Sequence, residues 1–519
     1  MKTLLKKISA WPYYSVLIPL LPVASLSYMN WTLLNPWNLI RPVIVLVATS
    51  LILTGIFSVF FRDLHRSAFM STLVLVLFFF YWDLSRLVFN IGLEKEIWTQ
   101  SILSLLIVLF SLLLWKKKEK WAKATGHLNF AGLLTLLFML GMGFYYFYSI
   151  QGFDLPSIGG DAIEPVEAEA YPDIYYFILD GYGRQDVLKD LYRFDNSPFI
   201  DKLKSMGFMI PEKSKSNFNQ TILSLCASLN LNNLEKAIAA LPKKNYDRRP
   251  LINALSKNRL FSFLHEKGYR IVTYDSGYGS TELHSGDEFI SDWRHLTTFE
   301  SYLLARTPLA RVSNYWAYWS HAERIKKSFN AAATVGEGKN KPVFYFAHIV
   351  CPHPPFILDR HGQTHIPKNV IFNFFDGNHL VRNQNMLKYY RNGYLHQLSY
   401  MNSQIIPLME KLIANSREKK QPLAIVLQGD HGPGAFLHQD SLEMTNQKER
   451  FSILNAYYLD GGRKEIPEDV TPANSFRILL NHFFKLDLPM IEDRSFFVKW
   501  FTPYQLQPVL EKMSAEVNE

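Results

Sequence analysis

Five long apolar stretches crowd the first 150 residues, at about 11–29, 38–61, 68–85, 98–115 and 127–148. Each is near the roughly 20 residues that a helix needs to cross a bilayer. Soluble core helices are seldom this long or this uniformly apolar, or flanked so regularly by Trp and Tyr such as Trp11, Trp98, Trp115 and Tyr145. The chain is therefore expected to begin with a five-helix transmembrane region over residues 1–150.

The basic residues set its orientation. Lys2, Lys6 and Lys7 precede the first stretch, Arg62 and Arg66 separate the second from the third, and Lys116, Lys117, Lys118, Lys120 and Lys123 separate the fourth from the fifth. The alternate loops are the uncharged MNWTLLNPWN and a mixed loop with Arg86, Glu94, Lys95 and Glu96, with Arg41 a mild exception. Positive loops stay inside, so the amino terminus is expected in the cytoplasm and everything beyond residue 150 outside it. Residues 1–150 hold 13 Lys or Arg against 5 Asp or Glu, which accounts for +8 of the chain's +9. The basic balance is thus a topology signal, and no nucleic-acid-binding face is expected. Four further spans follow the first, which argues against a cleaved signal peptide.

Residues 151–170, acidic and rich in Pro, Gly and Ala, read as an extended linker. From 171 to 504 apolar runs alternate with helical segments, such as Pro250 to Lys267 before RIVTYD and Gln384 to Ser416 before LAIVLQ. That alternation predicts one large extracytoplasmic α/β domain, followed by a polar tail over 505–519. Cys226 and Cys351 both fall outside the membrane. A disulfide is permitted there, and two buried thiols are the plainer expectation.

Three apolar runs end in residues suited to chemistry. Ile174 to Leu179 stops at Asp180, Val343 to Val350 stops before Cys351-Pro352-His353, and the run from Leu423 stops at Asp430-His431-Gly432. A parallel sheet collects such ends along one edge. Carboxylate and imidazole together suit zinc or manganese better than magnesium, although an Asp-His-Gly turn can also be a simple helix cap. In SNFNQTILSLCASLNLNNL, Thr221 is expected to open an amphipathic helix, where free N–H groups favour a phosphate or sulfate. A metal touching its hydroxyl would make it a nucleophile; the competing reading is a plain N-cap threonine.

The order and spacing of Asp180, Thr221, His353 and Asp430-His431 resemble the alkaline phosphatase and sulfatase superfamily. The likeness is particularly to the membrane-anchored branch that includes lipoteichoic acid synthases and phosphoethanolamine transferases. The resemblance covers roughly residues 171–500. It implies an alkaline phosphatase-like (sulfatase-type) fold and one divalent ion, Mn²⁺ or Zn²⁺ before Mg²⁺, on Asp180, Thr221, Asp430 and His431. Thr221 would be the nucleophile, His353 would contact the substrate phosphate or protonate the leaving group, and Arg450 would neutralise substrate oxygens or lie in a surface ion pair. His348 is expected inside a strand as a supporting residue. The pattern departs from the branch in having Asp180 where its members have Glu, and from formylglycine sulfatases in having Thr221-Ile-Leu-Ser-Leu where those need Cys or Ser in C/S-x-P-x-R. A second-metal set is not assigned; Asp275, His284, Asp287, Asp359 and His438 are loose candidates.

The function implied is a phosphotransferase of the bacterial plasma membrane. It would move a phosphoglycerol or phosphoethanolamine head group from a phospholipid, or another phosphodiester donor, to an envelope glycan or lipid acceptor. The alternatives are a phosphodiester or sulfate ester hydrolase and an inactive envelope-assembly protein.

Overall fold

The three apolar runs that end in polar residues form neighbouring strands. The computed structural model describes residues 11–90, 96–116, 118–151, 171–243, 246–337, 341–367, 370–461 and 465–509. The linker expectation therefore lies outside the described residues except for Gln151, which ends a helix.

The main sheet contains β1 (Asp173–Leu179), β2 (Arg270–Tyr274), β3 (Glu288–Ile290), β4 (Val343–Ile349), β5 (Leu423–Gln428) and β6 (Asn455–Leu459), in the order β3-β2-β4-β1-β5-β6. All pairings are parallel except that of β5 with β6. β1 thus lies between β4 and β5, and Ile178 stands level with His348 on one side and Gln428 on the other. This register brings Asp180, Cys351-Pro352-His353 and Asp430-His431 to adjacent positions on one edge. Ile174, Tyr175, Tyr176, Phe177 and Ile178 are all buried, which explains why β1 reads as a continuous apolar run rather than an alternating one. Burial of such side chains contributes about 1.5–3 kcal/mol each, enough to hold ionisable groups at the strand ends in fixed positions.

Several expected elements are refined. The helical run from Pro250 to Lys267 is two helices, Arg249–Ser256 and Arg259–Glu266, because the Asn258 side chain caps the second by accepting from the Phe261 amide. The expected tail is strand as far as Pro508: β7 (Phe496–Lys499) pairs with β8 (Thr502–Pro508), and Tyr504 is buried in the core. Residues 510–519 lie outside the described residues.

The chain divides into two compact units, one of Met1–Gly152 with Leu296–Ala317 and the other of Phe153–His295 with Tyr318–Glu519. The segment Leu296–Ala317, expected in the second region, therefore belongs with the apolar helices. Among the described residues of the first unit, Pro36–Phe61 and Lys120–Tyr148 are long and apolar enough to cross a membrane. The pair Leu64–Phe79 and Tyr81–Phe89, bent by 61°, makes a third if it is one broken span. Tyr14–Met29 and Trp98–Leu114 are apolar but shorter. The first of these is interrupted by a 3-10 turn at Ile18–Leu20, where Pro19 and Pro22 cannot supply helix N–H donors.

Packing in this unit is reversed relative to a soluble protein. Ser50, Ser67, Ser71 and Asn129 are buried, while Ile44, Val59, Phe60 and Phe144 are exposed. The small polar side chains link helices: Asn129 accepts from the Tyr14 amide at 3.1 Å and donates to the Trp11 carbonyl at 2.8 Å, and Ser71 donates to the Ser50 carbonyl at 3.1 Å. This arrangement fits a solvent that cannot hydrogen-bond.

Candidate active site

Asp180 is the first residue past β1, and its main chain continues the ladder by donating to the Ile349 carbonyl at 3.0 Å. Its two carboxylate oxygens differ. Oδ2 faces His348 Nε2 at 3.1 Å, and His348 Nδ1 faces the Thr281 hydroxyl at 2.8 Å, so the imidazole is held at both ends. Oδ1 is buried with no hydrogen-bond partner. Asp430 repeats the pattern. Its Oδ1 accepts from the Gly181 amide at 3.1 Å, and its Oδ2 is buried without a partner.

Both orphaned oxygens point to one atom. His431 Nε2 lies 3.6 Å from Asp180 Oδ1 and 3.3 Å from Asp430 Oδ2. It also lies 3.2 Å from Thr221 Oγ1. His431 Nδ1 is 3.0 Å from the Gly432 carbonyl, so it carries the proton and leaves the Nε2 lone pair facing the cluster. Burial and the Arg450 charge hold the His431 pKa below its ordinary value, which keeps the ring neutral. Burial acts to raise the Asp180 pKa, but the His353 charge and the His348 hydrogen bond hold it below the usual carboxylate range. Two carboxylate oxygens without donors, a neutral imidazole nitrogen and a hydroxyl form a donor set suited to a divalent cation. Ligand atoms of Asp180, His348 and Asp430 also lie within 4.8 Å of one another, so His348 adjoins the same space.

Local backbone makes this convergence possible. A side chain at Gly432 would collide with the Glu449 carbonyl, so the turn after His431 admits only glycine. Thr221 is the first residue of the helix Thr221–Leu229, whose N-cap is Gln220. Its hydroxyl makes no capping bond and faces His431 instead, which removes the plain N-cap reading. The helix is not amphipathic as expected, because Ile222 to Leu229 are all buried between the sheet and neighbouring helices.

His353 sits in the loop after β4. Its Nδ1 donates to the Pro354 carbonyl at 2.6 Å, and Gln397 Nε2 donates to the Pro352 and His353 carbonyls, so the loop is pinned and Nε2 is left for other partners. Burial disfavours its charged form, but the Asp180 and Asp376 carboxylates raise its pKa above the ordinary histidine value. Asp376, which sequence reasoning missed, lies 3.7 Å from His353 Nε2. It accepts from Arg450 Nη1 at 2.8 Å and from the Tyr390 hydroxyl at 2.9 Å. Arg450 is buried, not at the surface, and also donates to the Asn219 and Gly432 carbonyls. It therefore ties the Thr221 segment, the His431 turn and Asp376 together.

The loose second-metal candidates do not gather. Asp275 is paired with Arg324, His284 lies 4.0 Å from Glu282, and Asp287 meets His265 at the surface. Asp359 accepts from the His361 and Gln363 amides, and the His438 amide donates to Thr445. Cys226 and Cys351 are buried free thiols, as the plainer expectation had it.

No family model and no curated protein sequence matches the chain. The solved structures to which it is similar include phosphoethanolamine transferases and sulfatases. One is the periplasmic domain of EptC from Escherichia coli in complex with zinc, at 12% identity and a TM-score of 0.42, covering 67% of this chain and 96% of that one. Another is the integral membrane lipooligosaccharide phosphoethanolamine transferase A from Neisseria meningitidis, at 12% identity and a TM-score of 0.42, covering 92% and 95%. A third is BT1596, a 2-O GAG sulfatase, at 12% identity and a TM-score of 0.37, covering 64% and 73%. At this level of likeness the chemistry has to be read from the residues themselves.

Proposed function

We propose that this chain is a membrane-bound, metal-dependent phosphotransferase that takes a phosphoglycerol or phosphoethanolamine head group from a phospholipid onto Thr221 and passes it to an envelope glycan or lipid acceptor. One observation carries the reading: Asp180 Oδ1, Asp430 Oδ2 and Thr221 Oγ1 converge on His431 Nε2, and the two carboxylate oxygens are buried with no donor. A divalent ion, Mn²⁺ or Zn²⁺, on these four residues would lower the pKa of the Thr221 hydroxyl and draw charge from the phosphoryl oxygens.

In the first half-reaction Thr221 Oγ1 attacks phosphorus and its proton is lost to solvent. The bond from phosphorus to the diacylglycerol oxygen breaks, and His353 Nε2 protonates that oxygen as it leaves. In the second, the acceptor hydroxyl attacks the same phosphorus and gives its proton to His353, the bond from phosphorus to Thr221 Oγ1 breaks, and Thr221 takes back a proton from solvent. Water in place of the acceptor would make the enzyme a hydrolase. Arg450 lowers the negative charge around the substrate oxygens and fixes Asp376 beside His353. The apolar helices of the first unit support residence in the bacterial plasma membrane, although among the described residues two or three rather than five are long enough to cross it. A cytoplasmic amino terminus and an extracytoplasmic sheet domain rest on the alternation of basic loops.

Incubation of the purified protein with labelled phosphatidylglycerol and phosphatidylethanolamine, followed by mass spectrometry of the Thr221 peptide, tests the chemistry. One of the two head groups is expected on Thr221, and no adduct from either rules out the phospholipid-donor reading. A reporter fused after Glu519 is expected to behave as extracytoplasmic; cytoplasmic behaviour overturns the topology.

A further inference from the structure

The segment Leu296–Ala317 is built into the first unit by three kinds of bond. Phe299 and Leu303 share a buried cluster with Leu20, Val23, Leu46 and Phe79. Glu300 completes a capping box with Thr297 and takes a two-pronged ion pair from Arg41. The Arg306 carbonyl accepts from the Trp82 amide at 3.1 Å, next to the bend between Leu64–Phe79 and Tyr81–Phe89. Arg41 lies near the Pro36 end of the span Pro36–Phe61, so these contacts fall at the level of a bilayer interface.

The outward face of the segment is composed for lipid. Tyr302, Leu309, Val312, Tyr315 and Trp316 are exposed, while Leu296, Phe299, Leu303, Ser301, Thr307, Ser313 and Ala317 are buried. From Ala310 onward the segment is helix, and Val312, Tyr315 and Trp316 at spacing i, i+3, i+4 form one stripe. Over Ala310 to Ala317 the large apolar side chains are outside and the small Ser313 and Ala317 inside, which is the packing of the apolar helices of the first unit and not that of a surface helix in water. Arg306 and Arg311 are the charged residues between Ser301 and Ala322, a stretch without Asp or Glu. Tyr and Trp beside arginine is the composition that anchors at phospholipid head groups.

We propose that Leu296–Ala317 is a second membrane attachment, with the Val312, Tyr315 and Trp316 face seated in the head-group region of the phospholipid bilayer. The inference rests on the membrane reading of the first unit. Because both ends of the segment continue directly into the sheet domain, it also requires the Pro36 end of its span to lie on that domain's side of the membrane. This agrees with the orientation drawn from the basic loops. Such an attachment would keep the domain at the lipid surface independently of the linker.

The test uses the full chain in phospholipid nanodiscs, labelled with an environment-sensitive fluorophore at Val312→Cys or, separately, Tyr315→Cys. The unsubstituted protein, whose two cysteines are buried, serves as the blank. Nitroxide-bearing phospholipids are expected to quench both labels, and aqueous iodide to leave them bright. A label at Glu418→Cys, exposed on the helix Gln384–Lys419, should show the reverse. Iodide quenching alone at 312 and 315 means a water-facing segment, and quenching by neither means cover by protein; each overturns the proposal. Ile52→Cys, exposed within the span Pro36–Phe61, separates the two levels of inference. If lipid nitroxide fails there as well, the membrane reading falls with the proposal; if it quenches Ile52→Cys alone, only the second attachment falls.

Discussion

Asp180 and Asp275 begin alike and end differently. Each is the first residue past a parallel strand, β1 or β2, each is buried, and each continues the ladder through its amide, to Ile349 at 3.0 Å and to Ile290 at 2.9 Å. At Asp275 both oxygens are satisfied: Oδ1 accepts from the Gly277 amide at 2.9 Å and Oδ2 from Arg324 Nε at 2.8 Å. At Asp180 one oxygen faces His348 and the other has no donor. A strand-end carboxylate is therefore not a metal ligand by position. What separates the two sites is whether the fold supplies donors to both carboxylate oxygens.

The largest expected effect tests the open site through its hydroxyl. Thr221→Ala should lose turnover by roughly 10³-fold or more while the protein stays folded, because no other group there can carry the covalent intermediate. Thr221→Ser should retain part of the activity. Turnover and thermal unfolding measured on the same preparations decide the point, and near-normal activity in a folded Ala variant removes Thr221 from the mechanism.

The two aspartates should then part company. Asp275→Asn leaves Arg324 buried beside a neutral partner and should destabilise the protein by on the order of 3 kcal/mol with metal content unchanged. Asp180→Asn should abolish metal binding, while in chelator-treated protein its stability cost should be smaller than that of Asp275→Asn: His353 and His348 favour the ionised carboxylate, but no buried arginine is left without its partner. Elemental analysis and unfolding midpoints of both variants read this out. Metal loss in Asp275→Asn, or a large stability loss in metal-free Asp180→Asn, would erase the distinction.

Glu449 offers a third arrangement and the smallest effect. It is fully buried, with its oxygens accepting from the Tyr192 hydroxyl and the Phe436 amide, and burial pushes its pKa up to about 7. The folded protein thus keeps a proton that the unfolded chain gives up near 4.5. Its stabilising contribution is complete below pH 4.5 and is lost as pH rises toward 7, by on the order of 2–3 kcal/mol. Glu449→Gln should flatten that part of the stability profile. A slope that is unchanged between pH 5 and 7 would show that Glu449 ionises without penalty.

Most of the site was legible because strand ends mark themselves: Leu179, Val350 and Gln428 close apolar runs, and Asp180, His353, Asp430 and His431 follow within a few residues. Asp376 left no such mark. It sits in the irregular stretch IFNFFDGNH, and its role comes from Arg450 and Tyr390, which lie on other elements. Arg450 looked like a surface cation because KERFSIL carries charge, whereas the helix Gln447–Phe451 is buried from Glu449 onward.

By itself the sequence determined the two kinds of solvent this chain must meet, the apolar runs of the sheet and the residue types at their ends. These are local properties, written in runs of side chains a few residues apart. The tertiary structure alone decided which acids are left open and which are closed, because Arg324 reaches Asp275, and Arg450 reaches Asp376, from elements no local pattern links. It also decided that Leu296–Ala317 belongs with the apolar helices of the first unit. Burial is a property of the assembled fold, and a helix with Val312, Tyr315 and Trp316 on one side reads the same in sequence whether that side meets a core or a lipid.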